Sequence, residues 1–70
     1  MMPLTFAKTG DTNCILKITG NDEVRRHLAE LGFVAGECVT VVSEMGGSMI
    51  LSVKNSRIAL DRTMTNRILI

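Results

Sequence analysis

The 70-residue chain contains no tryptophan and no tyrosine, and its only aromatic residues are Phe6 and Phe33. Functions that depend on aromatic platforms, such as the stacking of single-stranded nucleic acid, are therefore disfavoured. A core without large aromatic side chains has to be aliphatic. Val, Ile, Leu and five Met are available to build it, within a hydrophobic fraction of 46%.

An excess of charge of one sign is also lacking, because eight Lys and Arg stand against seven Asp and Glu. A dedicated nucleic-acid binder normally carries a clear basic excess, so we expect no nucleic-acid partner. No apolar run approaches the roughly 18 residues needed to span a bilayer. Residues 1–8 lack the pattern of a signal peptide. We therefore expect a cytoplasmic protein that is not inserted in a membrane.

Residues suited to catalysis or metal binding are few: two cysteines, Cys14 and Cys38, and one histidine, His27. Two cysteines are too few for a disulfide scaffold, and a reducing compartment would keep them as thiols packed like small hydrophobic residues. A Cys–His dyad, or a metal site built from these three side chains, is the alternative. No paired ligands of the C-x₂-C type and no base with an orienting partner accompany them. The sequence thus favours a protein that is not an enzyme.

One amphipathic helix is predicted over residues 21–31. Asn21 is a suitable N-cap, and Val24, Leu28 and Leu31 recur at the spacing of a single helical face. Gly32 follows as a C-terminal stop with positive φ.

Short alternating or β-branched runs predict five or six strands, the first of them a short strand or extended arm. They lie at residues 4–7, 12–19, 38–44, 49–53, 57–60 and 68–70. In the second run, a period of two places Cys14 on the inner face. An all-β fold with one inserted helix, closed into a small barrel, fits this pattern as a single domain over residues 1–70.

Two stretches carry a resemblance to a known family. Residues 10–20 read GDTNCILKITG, and residues 24–36 read VRRHLAELGFVAG. Residues 58–62, IALDR, precede a terminal ILI. These segments resemble the FeoA family over nearly the whole chain, most specifically in the helix that runs into LGF-x-x-G. Asn55 replaces the usual hairpin glycine, and the loop at residues 45–49 departs from the family pattern.

The resemblance implies an SH3-like barrel that is a small cytosolic accessory protein of bacterial ferrous iron uptake. Its partner would be a FeoB-type membrane permease, which carries a cytosolic GTP-binding domain. The same fold occurs as the C-terminal domain of iron-dependent repressors. The alternative function is therefore a module that binds or senses a transition metal such as Fe²⁺.

Proline-rich peptides are not expected as ligands of such a barrel, because their recognition needs an aromatic-lined groove. We expect a monomer whose partner surface is the helix, with Arg25, Arg26 and Glu30. The Gly46-Gly47 loop, with Met45 and Met49, is expected to flank this surface. Each of these two methionines could equally plug an end of the barrel.

Overall fold

The computed structural model describes all residues, 1–70, and is mostly β with one main helix. A short 3-10 helix comes first, at Leu4–Phe6. The elements that follow are β1 (Thr12–Cys14), β2 (Lys17–Ile18), α1 (Asp22–Glu30), β3 (Cys38–Met45), β4 (Ser48–Val53), β5 (Ser56–Asp61), α2 (Arg62–Thr65) and β6 (Ile68–Leu69). No helix of the protein is long and apolar enough to cross a membrane.

The six strands form two antiparallel sheets. The larger has the order β1-β3-β4-β5, and the smaller pairs β2 with β6. Met2 and Ile70 extend the smaller sheet by exchanging two backbone hydrogen bonds of 2.9 and 2.8 Å. Both ends of the chain are therefore tied to the same sheet.

Two tight hairpins join the central strands of the larger sheet. Gly46 and Gly47 connect β3 to β4, and Lys54 and Asn55 connect β4 to β5, all four with positive φ. Consecutive positive φ values are the geometry of a type I′ turn, whose twist matches that of the flanking strands. Asn55 fills its position because asparagine tolerates this conformation.

The chain passes from the larger sheet to the smaller sheet between β1 and β2. This change of sheet contradicts the predicted inward orientation of Cys14. Ile15 donates to the Glu37 carbonyl at 2.8 Å, whereas Leu16 donates to the Leu69 carbonyl in the other sheet at 2.8 Å. Ile15 is buried, while Cys14 and Leu16 are exposed. The prediction that Cys14 faces the core was therefore wrong, because a change of pairing partner interrupts the period of two.

The helix α1 lies within the predicted range of residues 21–31, with Asn21 as its N-cap and Gly32 after its C-terminus. The Asn21 side chain accepts a 2.9 Å hydrogen bond from the Val24 N–H. At the other end, Gly32 has φ +105° and Phe33 donates to the Leu28 carbonyl at 2.9 Å. This Schellman arrangement satisfies the last carbonyls of the helix and turns Phe33 into the core, where it is fully buried.

The core lies between the two sheets and under α1, and it is aliphatic apart from one phenylalanine. Its members are Leu4, Ala7, Ile15, Leu28, Phe33, Val39, Val41, Met49, Leu51, Val53, Leu60 and Ile68. Residues 4–7 supply Leu4 and Ala7 to this core from a 3-10 turn, which corrects the strand or extended arm predicted there.

Candidate docking groove

The helix α1 has three faces, which determine what each of its side chains can do. Leu28 is buried and Val24 is packed against the core. A second face points to solvent and carries Glu23, His27 and Glu30, all exposed. The third face carries Asp22, Arg25, Arg26 and Ala29 and forms one wall of a groove.

The groove is open and has a volume of about 780 Å³. Its other walls come from the β2 segment and from the turn after α1. Half of the lining residues are hydrophobic, namely Leu16, Ile18, Ala29, Phe33, Val34 and Ala35. Leu16 is 58% exposed, which is unusual for a leucine placed between two strands. The groove therefore presents unburied apolar surface.

Positive charge dominates the rim of the groove. Lys17, Arg25 and Arg26 line it together with a single carboxylate, Asp22. Arg25 lies 3.7 Å from the Asp22 carboxylate, and both side chains are more than half exposed. An ion pair this exposed contributes little, so it does not lock Arg25 in place. The rim is thus a local cationic surface on a molecule of net charge +1.

A disulfide joins Cys14 at the end of β1 to Cys38 at the start of β3. The expectation that both cysteines are thiols packed inward is corrected, since both are exposed and neither is free. The two residues are directly opposite each other in the β1–β3 register, with 3.8 Å between their Cα atoms. This direct pairing across two strands places the sulfurs within reach of each other.

The structure separates the five residues predicted for the partner surface. Arg25 and Arg26 lie together at the groove, whereas Glu30 lies on the solvent face of the helix. Met45 is 71% exposed at the β3–β4 hairpin, away from the lining of the groove. Met49 is 4% exposed and belongs to the core, so its side chain does not lie on an open surface.

The three candidate metal ligands are not brought together. Cys14 and Cys38 are bonded to each other, and His27 lies on the solvent face of α1. No group of three or more His, Cys, Asp or Glu side chains is arranged to hold a metal ion.

Leu16, Lys17 and Val34 are groove residues that the sequence analysis missed. The spacing of Asp22, Arg25, Arg26 and Ala29 is a signal that could have indicated the helical wall, because these positions share one face. The opposite walls depend on how β2 and the turn after α1 fold against the helix, and no local pattern indicates that arrangement.

Comparison with known proteins is consistent with this architecture. A family model described as the FeoA domain matches residues 2–70. A protein of Methanocaldococcus jannaschii, named as a candidate Fe(2+) transport protein A, is 31% identical over 70 residues, which cover 100% of this chain and 85% of the relative.

Solved structures share the fold. A crystal structure of an iron uptake regulatory protein, FeoA, has a TM-score of 0.88 at 28% identity over 96% of this chain and 89% of its own. The zinc complex of Stenotrophomonas maltophilia FeoA, described as a procaryotic SH3 domain protein, has a TM-score of 0.86 at 28% identity, covering 99% of this chain and 88% of its own. The predicted SH3-like fold is thereby confirmed.

A manganese-dependent transcriptional repressor has the same fold at 19% identity and a TM-score of 0.85, over 94% of this chain and 38% of the repressor. That likeness concerns the fold alone. The family model and the relative at 31% identity extend over essentially the whole sequence. The chain therefore belongs to the FeoA family, a family of non-enzymatic accessory proteins.

Proposed function

We propose that this FeoA protein acts in the cytoplasm as a docking module for a FeoB-type permease in ferrous iron transport, and that the groove along α1 receives the permease. The observation that carries the proposal is the groove itself, in which exposed apolar surface lies beside unpaired positive charge. Membership of the FeoA family and the description of the S. maltophilia relative in terms of ferrous iron transport support the same transport system.

The chemistry of the groove defines the segment of the permease that fits it. An apolar side chain of the partner would cover Leu16, Ile18 and Val34, which removes their exposed surface from water. Lys17 and Arg26 have no carboxylate within 4 Å in the free protein and can accept Asp or Glu from the partner. The expected occupant is therefore an amphipathic segment with acidic residues flanking an apolar one.

A reversal of charge tests this assignment. The variant Arg25→Glu/Arg26→Glu is expected to bind detergent-solubilised FeoB-type permease at least tenfold more weakly than the wild type. The two glutamates at the rim would repel the acidic segment that the two arginines attract. A tenfold loss of affinity corresponds to about 1.4 kcal/mol. Biolayer interferometry with immobilised permease measures the affinity, and circular dichroism verifies that the variant is folded.

The matched control is Arg57→Glu/Arg62→Glu, which causes the same change in net charge at exposed residues outside the groove. We expect this variant to bind within threefold of the wild type. Equal losses in the two double variants would indicate a nonspecific electrostatic effect. Full binding by the Arg25→Glu/Arg26→Glu variant would contradict docking in the groove.

A further inference from the structure

Every residue that lines the groove belongs to the loop closed by the disulfide. The lining runs from Leu16 to Ala35, and the disulfide joins Cys14 to Cys38, 24 residues apart in sequence. The closed segment contains β2, all of α1 and the turn that follows it. One covalent bond thus constrains the whole structure that forms the groove.

The disulfide lies close to two walls of the groove. Cys14 is two residues before Leu16, and Cys38 is three residues after Ala35. Between them, the Gly36 N–H donates to the Ile15 carbonyl and the Ile15 N–H to the Glu37 carbonyl, each at 2.8 Å. These two hydrogen bonds and the disulfide therefore connect the segments that lead into the two walls, and the disulfide is the covalent one of these connections.

The larger sheet does not depend on the disulfide for its register. Asn13 pairs with Val39, and the Val41 N–H donates to the Asp11 carbonyl at 2.9 Å. Both interactions lie on the side of the disulfide that faces away from the groove. β3, β4 and β5 are joined by tight hairpins. Cleavage of the disulfide therefore removes the covalent link next to the groove, while the pairing of the sheet does not require that link.

Both cysteines are exposed residues, so the disulfide lies at the surface of the protein, where a dithiol can approach it. In reducing compartments a disulfide is usually transient and redox-sensing rather than structural. Exposed disulfides are also among those that thiols exchange with most readily.

We propose that the Cys14–Cys38 disulfide is a reversible redox control of the groove, which holds the groove in its binding form when oxidised and releases its walls when reduced. The role in docking rests on the proposed function.

In the reduction, a thiolate of a dithiol attacks one sulfur, the S–S bond breaks, and a mixed disulfide forms. The second thiol of the reductant resolves it, so Cys14 and Cys38 gain two electrons and two protons while the dithiol becomes a disulfide. The same exchange in reverse, with a disulfide as the oxidant, takes up these electrons and protons and re-forms the Cys14–Cys38 bond.

Amide hydrogen exchange of the full chain, measured by NMR, tests the control without a partner. With dithiothreitol as the dithiol, exchange in residues 16–20 and 33–37 is expected to accelerate at least tenfold relative to the oxidised chain. The chemical shifts of residues in β4 and β5 are expected to stay unchanged, because these strands keep their pairing when the disulfide is cleaved. Removal of the reductant and air oxidation should restore the slow rates. The variant Cys14→Ser/Cys38→Ser should match the reduced chain in both conditions.

Binding to detergent-solubilised permease is the second readout, with at least tenfold weaker binding expected for the reduced chain. The redox control is overturned if the oxidised preparation holds free thiols, if exchange is the same in both forms, if reduction unfolds the whole chain, or if both forms bind with equal affinity. If neither form binds the permease, the proposed docking function fails, and the exchange comparison alone then decides the redox control of the groove.

Discussion

Leu16 is the single residue whose environment most directly indicates a binding surface. It lies between β1 and β2, donates its N–H to β6, and still leaves 58% of its surface exposed. The break between the two sheets is the reason, because it turns Ile15 inward and Leu16 into the groove. The side chain contributes little to the core and is free to contact a partner.

Replacement of Leu16 with serine separates binding from stability. Full burial of a leucine contributes about 1.5–3 kcal/mol, so the exposed part is expected to contribute roughly 1–1.5 kcal/mol when a partner covers it. Leu16→Ser should therefore weaken binding to the permease about tenfold and lower the free energy of unfolding by about 1 kcal/mol, the contribution of the part that is already buried. Interferometry and urea denaturation give the two values.

Met45→Ser is the control for the loss of an exposed apolar side chain. Met45 is 71% exposed but lies outside the lining of the groove, so its replacement is expected to leave the affinity unchanged. If Met45→Ser lowers the affinity for the permease and Leu16→Ser does not, the partner surface lies at the β3–β4 hairpin and not in the groove. Part of the partner surface is predicted at that hairpin from the sequence.

The helix α1 is the element on which both the core and the groove depend. Its core face holds Leu28 among the fully buried residues, and its groove face presents the two arginines. The nine residues Asp22–Glu30 are too few to be stable as an isolated helix, so the caps and the core contacts maintain it.

Removal of the N-cap tests the contribution of this helix to stability. Asn21→Ala deletes the acceptor of the Val24 N–H and is expected to lower the free energy of unfolding by about 1 kcal/mol. Asn21→Asp keeps an acceptor oxygen at the same place and should stay within about 0.5 kcal/mol of the wild type. Urea denaturation followed by circular dichroism compares the three proteins, and an Asn21→Ala variant as stable as the wild type would contradict the capping role.

Local elements were predictable from the sequence, because their signals lie within a few residues of one another. Asn21, the apolar stripe and Gly32 were sufficient to locate the helix. Cys14 was placed on the wrong face because its orientation depends on which distant strand pairs with its neighbours. The groove was missed for the same reason, since its walls meet only in the folded chain.

At the scale of the whole molecule, the disulfide connects sequence positions that would otherwise be joined by backbone pairing alone. In the chain-entropy account, a crosslink reduces the freedom of the unfolded chain, and for this separation the stabilisation is roughly 3 kcal/mol. That is a large share of the stability of a domain of this size, which is on the order of 4–10 kcal/mol.

The free energy of unfolding of the Cys14→Ser/Cys38→Ser variant, measured by urea denaturation, is therefore expected to be about 3 kcal/mol lower than that of the oxidised wild type. Reduced wild type should agree with the variant, because both lack the crosslink. A difference below about 1 kcal/mol between oxidised wild type and variant would mean that the disulfide constrains the unfolded chain little.

The location of the docking surface is the central claim, and hydrogen–deuterium exchange of the oxidised chain with and without intact FeoB-type permease tests it most directly. The account predicts slower exchange on binding in three segments, residues 16–20, 22–29 and 33–35, with no change at the β3–β4 hairpin. Protection confined to residues 43–49, or no protection anywhere at a permease concentration that saturates binding, would contradict it.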